Sequence, residues 1–269
     1  MKKLIGVGVG PGDPELITVK ALRVLREADA VFVPVMAGPD GPPQVPGRAE
    51  ATIRAHIGPD RIRPVAFALN DTGGVTPRRA AAWQAAAQEV TRAFGTGAGT
   101  VAFGTIGDPN LYSTFSYLAQ TVRDIVRDVL IETVPGITAM QDLAARSGTA
   151  AGPVTGTVLA EGDEPLILLP LTAGVGPLRD ALNRPGTVVG YKLGAAAGPS
   201  PAQVRDLLAE TGRLDGAIAG ARLGLPGQDI RRAADLAALR AVPYLSTLIV
   251  PARRDGVGTS LGRSGRGAP

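Results

Sequence analysis

The sequence predicts an α/β protein of two domains, and three observations carry that prediction. An apolar run from Leu4 to Val9 breaks into alternate glycines, Gly6, Gly8, Gly10 and Gly12, and an amphipathic segment from Val19 to Ala28 follows Thr18. That pattern reads as strand, tight turn and helix. Ala30-Val31-Phe32-Val33-Pro34 then returns as a second strand, so the chain opens on a β-α-β unit and hence a parallel sheet. Finally, 269 residues can fill two modest domains, and the small, turn-prone stretch Gly148-Thr149-Ala150-Ala151-Gly152-Pro153 lies between two such alternations. The domains are expected over 1–148 and 153–252.

The elements follow in order. Residues 37–47 carry too many prolines for a helix or a central strand and read as a loop, with Arg48 at its edge as a candidate for holding an anion. Val65–Leu69 is a third strand, Asn70–Gly74 a turn, and Arg78–Phe94 a helix whose Trp83, Ala86, Ala87 and Val90 share one face, which marks Trp83 as core. Thr100–Phe103 is a fourth strand running into Gly104-Thr105-Ile106-Gly107-Asp108-Pro109, at the carboxyl end where open α/β sheets place ligands. Asp108-Pro109 either presents a carboxylate to a ligand or caps a helix from Asn110 to Val126. Val129–Val134 is a fifth strand, turned by Pro135-Gly136 into a helix from Thr138 to Arg146. Beyond the break, strands at Pro165–Leu171, Thr187–Leu193, Ala217–Leu223 and Tyr244–Pro251 alternate with helices near Gly176–Leu182 and Pro201–Thr211, a second α/β unit with a mixed sheet. Arg253–Pro269 has almost nothing apolar to bury and is expected to be disordered.

Several function classes are excluded on residues alone. The dinucleotide fingerprint fails because Pro11 and Asp13 stand where glycines are required, and a phosphate-binding loop fails because the chain has no Gly-Lys pair. Pro11 lacks an N–H and Asp13 adds a negative charge, so the turn suits a ligand other than a polyphosphate. The absence of cysteine removes disulfides, thiolate catalysis and Cys-bound metal sites, and the one histidine, His56, has no nucleophile elbow near it and reads as a helix-end residue. No protein metal site is expected. The net charge of +4 is nearly all arginine, since Lys2, Lys3, Lys20 and Lys192 are the only lysines, and a guanidinium fork grips carboxylates in pairs of bonds. Aromatic residues make up only 4% and the arginines are scattered, which speaks against nucleic acid. Gly and Asp interrupt the stretch after Met1-Lys2-Lys3 before a leader's apolar core can form, and no run reaches membrane-helix length. A soluble, cytoplasmic protein is expected, with no membrane partner.

Three motifs in order carry a resemblance. Gly8-Val9-Gly10-Pro11-Gly12-Asp13-Pro14-Glu15-Leu16-Ile17-Thr18 resembles the N-terminal signature of the tetrapyrrole methylases. Gly104–Phe115 resembles that family's central Gly-Asp-Pro loop, and Val134-Pro135-Gly136-Ile137-Thr138-Ala139 its Val-Pro-Gly-Ile turn. The Tyr112-Ser113-Thr114-Phe115 version of the central loop is similar to the branch that methylates precorrin-2 at C20. The resemblance implies two α/β domains with a cofactor cleft between them, S-adenosylmethionine as methyl donor, an anionic tetrapyrrole as substrate and a homodimer. It places the cofactor on Pro11, Ile106, Gly107, Asp108, Leu111, Tyr112, Ser113, Thr114, Thr138 and Ala139, with Lys192 and Leu223 lining it from the second domain. Family members often carry Glu-Arg where this chain has Ala221-Arg222. No catalytic side chain is identified, because a sulfonium methyl and an electron-rich ring carbon chiefly need alignment. Another corrin position, a cobalt-containing substrate, an rRNA methyltransferase and a non-catalytic nucleotide-binding protein are the alternatives.

Overall fold

A computed structural model describes residues 1–36, 46–69, 71, 74–148, 156–239 and 241–254. Most of the loop expected over 37–47, most of the turn at 70–74, nearly all of the break at 148–153 and the tail from 255 lie outside the described residues. The chain divides into two compact units, Met1–Thr138 and Ala139–Pro269.

The first unit is built on a sheet of β1 (Lys3–Gly8), β2 (Ala30–Met36), β3 (Ile62–Phe67), β4 (Thr100–Thr105) and β5 (Leu130–Val134), in the order β3-β2-β4-β1-β5 and parallel throughout. Successive side chains of a strand point to opposite faces, and the apolar residues divide accordingly. Leu4, Phe32, Val101 and Phe103 face one core together with Ala86 and Val90 of α3 (Pro77–Gly95) and Phe115 and Leu118 of α4 (Phe115–Ile125). Ile5, Val7, Val31, Val33 and Ala102 face the other, with Ala21 and Leu25 of α1 (Val19–Glu27) and Ala49 and Ile53 of α2 (Arg48–Arg54). Such near-continuous apolar strands are what a sheet covered on both faces requires. Trp83 is only half-buried on the first core and stacks flat on Tyr117, with ring centroids 4.5 Å apart.

This topology has a functional consequence. The chain leaves β1 for α1 on one face, whereas it leaves neighbouring β4 for α4 on the other. The carboxyl ends of β1 and β4 are therefore the switch point at which the following loops diverge and leave room for a ligand.

The second unit holds a mixed sheet of β6 (Leu166–Pro170), β7 (Thr187–Tyr191), β8 (Ile218–Ala221), β9 (Asp229–Arg232) and β10 (Thr247–Val250), in the order β6-β7-β10-β8-β9, with only β6 and β7 parallel. Helices α6 (Val175–Leu182) and α7 (Pro201–Glu210) supply Leu178, Leu182, Val204 and Leu207 to its main core. Helix α5 (Ala139–Arg146) belongs here too, because Met140, Leu143 and Ala144 pack with Val189, Ile218 and Ile249. For that reason the division falls between Thr138 and Ala139, ahead of the break expected at 148. The edge strand β9 was absent from the sequence reading, since Asp-Ile-Arg-Arg lacks the apolar alternation of a covered strand.

Two charged side chains brace the units through backbone groups. Arg213, 6% exposed, donates from Nη1 to the carbonyls of Leu182 (2.9 Å) and Arg184 (3.3 Å) and from Nη2 to those of Gly186 (2.8 Å) and Pro251 (3.1 Å). Burial pulls its guanidinium below its ordinary value without neutralising it. Replacing Arg213 with Met strips these carbonyls of a charged donor, and denaturant unfolding should show a loss of roughly 3 kcal/mol; an unchanged midpoint would contradict that role.

In the first unit, Asp29 Oδ2 accepts the N–H groups of Thr100 (2.8 Å) and Gly99 (2.9 Å), and these bonds hold its carboxyl below its ordinary value. A lowered carboxylate adds stability above its unfolded value and loses it as pH falls through the folded one. The acid side of the stability profile should accordingly be shallower in Asp29→Asn than in the wild type, as urea midpoints between neutral and acid pH would show.

Candidate functional site

At the switch point the backbones of three loops meet. Val9 N–H donates to Thr105 O (2.9 Å) and Gly107 N–H to Gly10 O (2.7 Å), which joins the loop after β1 to the loop after β4 by an isolated bridge. A Cβ on Gly8 would lie 2.5 Å from Gly136 N and 2.6 Å from Gly107 O, and one on Gly136 would lie 2.2 Å from Gly107 O. Real Cβ atoms do not come so close to backbone, so Gly8 and Gly136 are required by the contact of the loops with one another. Gly107 differs. It takes φ +68°, and nothing stands within 4 Å of where its Cβ would be. Open space thus adjoins the backbone at the junction, which fits a ligand lying directly on the main chain.

Side chains fix the loops from beneath. Asp13 Oδ1 accepts Glu15 N–H (3.0 Å) and caps the short 3-10 turn Pro14–Leu16, while Thr18 Oγ1 accepts Ala21 N–H (3.1 Å) and starts α1. From α2 and just beyond it, Thr52 Oγ1 donates to Gly12 O (3.2 Å) and His56 Nε2 donates to Pro14 O (2.8 Å). His56 does follow the end of a helix, and its ring anchors the glycine turn.

Asp108 does more than cap. Its Oδ1 accepts Asn110 N–H (2.8 Å) and its Oδ2 accepts Gly136 N–H across the junction (3.0 Å), while Asn110 Nδ2 reaches Thr133 Oγ1 on β5 (3.2 Å). The helix expected from Asn110 begins instead at Phe115. Tyr112, at φ +50°, cannot continue a right-handed helix, and Ser113 Oγ, which bonds Thr105 Oγ1 (3.0 Å), accepts Phe115 N–H (3.1 Å) at the true start. Tyr112, Ser113 and Thr114 therefore lie in an irregular loop ahead of the helix and not on its first turn. Tyr112 is 45% exposed, and its partial burial raises the phenol above its ordinary value, which keeps it a donor.

The expected site residues divide between the units. Pro11 is buried in the glycine turn, Ile106, Gly107, Asp108, Leu111, Tyr112, Ser113 and Thr114 form the loop after β4, and Thr138 closes the loop after β5. The first unit brings these three loops together. Ala139 opens α5 in the second unit, where Lys192 and Leu223 follow β7 and β8. Leu223 is 4% exposed and packs with Met140, Leu143 and Val189, as a core residue would. Lys192 and Arg222 both take the left-handed backbone, at φ +64° and +51°. Asn110, Thr133 and Thr52 carry no signal of their own in the sequence, because the side chains of Asn110 and Thr52 find their partners, Thr133 and Gly12, 23 and 40 residues away along the chain.

Deleting the Asp108 carboxyl as Ala frees two backbone N–H groups. Hydrogen exchange at the amides of Asn110 and Gly136 should rise, with a loss of about 1–3 kcal/mol. Wild-type exchange at both would show that the clasp does not hold the loops.

Comparison with known proteins gives four findings. The family model of the Tetrapyrrole (Corrin/Porphyrin) Methylases matches residues 3–238. A protein of Sinorhizobium sp named precorrin-2 C(20)-methyltransferase is 31% identical over 258 residues, covering 94% of this chain and 96% of the relative. The cobalamin biosynthesis protein CobIJ of Mycobacterium bovis is 34% identical over 253 residues, and the match takes in 93% of this chain but spans only 46% of CobIJ, about half its length. Among solved structures, the uroporphyrin-III C-methyltransferase of Thermus thermophilus superposes with a TM-score of 0.56 at 22% identity, covering 93% of this chain and 92% of that one, a likeness of fold.

Proposed function

The chain belongs to the tetrapyrrole (corrin/porphyrin) methylases, and we propose that it transfers the methyl group of S-adenosylmethionine to C20 of precorrin-2, giving precorrin-3A in cobalamin biosynthesis. The near full-length similarity to the Sinorhizobium relative carries this choice of substrate, and the Tyr112-Ser113-Thr114-Phe115 segment supports it.

The donor supplies a methyl carbon already made electrophilic by its sulfonium. In the transfer, a bond forms between that carbon and C20, the bond to sulfur breaks, S-adenosylhomocysteine leaves and the C20 proton passes to solvent. What remains for the protein is alignment. The proposed donor contacts are Pro11, Ile106, Gly107, Asp108, Leu111, Tyr112, Ser113, Thr114, Thr138, Ala139, Lys192 and Leu223. Gly107 offers open space beside its backbone, and Tyr112 and Ser113 offer hydroxyls to ribose and amino groups. Asp108 holds the loop in place through Gly136. In the same proposal the enzyme is a cytoplasmic homodimer that engages neither nucleic acid nor membrane and has no metal of its own; any cobalt arrives inside the substrate.

Two measurements test this. Calorimetry should show binding of S-adenosylhomocysteine and no appreciable binding of NAD; the reverse pattern would end the methylase assignment for this site. Incubation with carbon-labelled S-adenosylmethionine and metal-free precorrin-2 should place the label at C20 by carbon NMR. A label at another carbon, or turnover only of the cobalt complex, would displace the choice of substrate and leave methyl transfer standing.

A further inference from the structure

We propose that Arg222 binds a side-chain carboxylate of the tetrapyrrole, and this rests on the methyltransferase function proposed above. Strands β7 and β8 both run antiparallel to β10, so their carboxyl ends lie on one edge of the second sheet. Each is followed at once by a cation in the left-handed region, Lys192 after β7 and Arg222 after β8, and then by a leucine that is 1% or 4% exposed. Side chains other than glycine seldom adopt that backbone, and it persists where the surroundings impose it.

Around Arg222 the surroundings are a small braced loop. Leu225 N–H donates to Arg222 O (3.0 Å), Gln228 N–H to Leu225 O (3.0 Å), and Gln228 Oε1 accepts Gly224 N–H (2.8 Å). Gly224 and Gly227 take φ +68° and +77°. The Arg222 side chain lies along Gly227, where an added Cβ would stand 2.9 Å from Nη1. Glycine there leaves the guanidinium its place. Arg222 is exposed and, among the described residues, its guanidinium makes no hydrogen bond or ion pair. Arg213, Arg231, Arg253 and Arg254, by contrast, are spent on carbonyls or carboxylates of the same unit. An unspent fork on a rigid loop, with Lys192 on the same edge, is suited to a ligand carboxylate.

Steady-state kinetics with precorrin-2 as the varied substrate test this at saturating S-adenosylmethionine. Arg222→Gln should raise the KM for precorrin-2 by about tenfold, the scale of one charge-assisted contact, with kcat and S-adenosylhomocysteine affinity near wild type. Arg222→Lys should recover part of the loss, and Gly227→Ala, which displaces the side chain, should raise KM in the same direction. The wild-type KM should also climb more steeply with salt than that of Arg222→Gln. An unchanged KM in Arg222→Gln, or a loss of S-adenosylhomocysteine affinity in its place, overturns the inference while the function stands. Absence of turnover by the wild-type chain overturns the function, and the inference with it.

Discussion

Where β1, β4 and β5 end, three stretches of backbone touch without a side chain between them, and much else in the first unit follows from that contact. Gly8 and Gly136 have no room for a Cβ against Gly107 and each other, and the bridge from Gly107 N–H to Gly10 O joins the first two loops by their main chains. Backbone groups in such a junction must be satisfied locally or they cost free energy. Asp108 does this for the third loop, taking the Gly136 N–H with one oxygen and its own loop's Asn110 N–H with the other. One carboxylate and a set of glycines thereby convert three loops into one surface.

That surface stands at the switch point, which ties the junction to the sheet. Because β1 leads to α1 on one face and β4 to α4 on the other, the loops that follow the two strands diverge at their carboxyl ends. The half-buried backbone of Gly107, with open space where a Cβ would stand, and the hydroxyls of Tyr112 and Ser113 are brought there by a loop that α4 does not absorb. A donor without phosphate groups fits such a surface better than a diphosphate, which asks for a run of free N–H groups.

Much of this was legible in the sequence, and the remainder was hidden for definite reasons. Short apolar runs located β1, β2 and β4, and the glycine spacing located the junction, because both express local geometry. The start of α4 was misjudged because it depends on Ser113 meeting Thr105 and on Tyr112 turning left-handed, contacts set by the tertiary structure. Likewise, α5 shows a helical pattern without saying which sheet its Leu143 will bury against, and only the packing with Ile218 and Ile249 assigns it to the second unit. The motif pointed to Asp108, but its two roles as clasp and turn required the position of Gly136.

The central claim is that this three-loop junction is where the methyl donor lies. Amide chemical shifts during titration with S-adenosylhomocysteine test it most directly. Saturable shifts concentrated at Gly10 and Gly12, across Ile106–Thr114 and at Gly136–Thr138 are predicted. Saturable binding that leaves those amides unmoved, with the shifts gathered at the amino ends of the strands or in the helices, would contradict it.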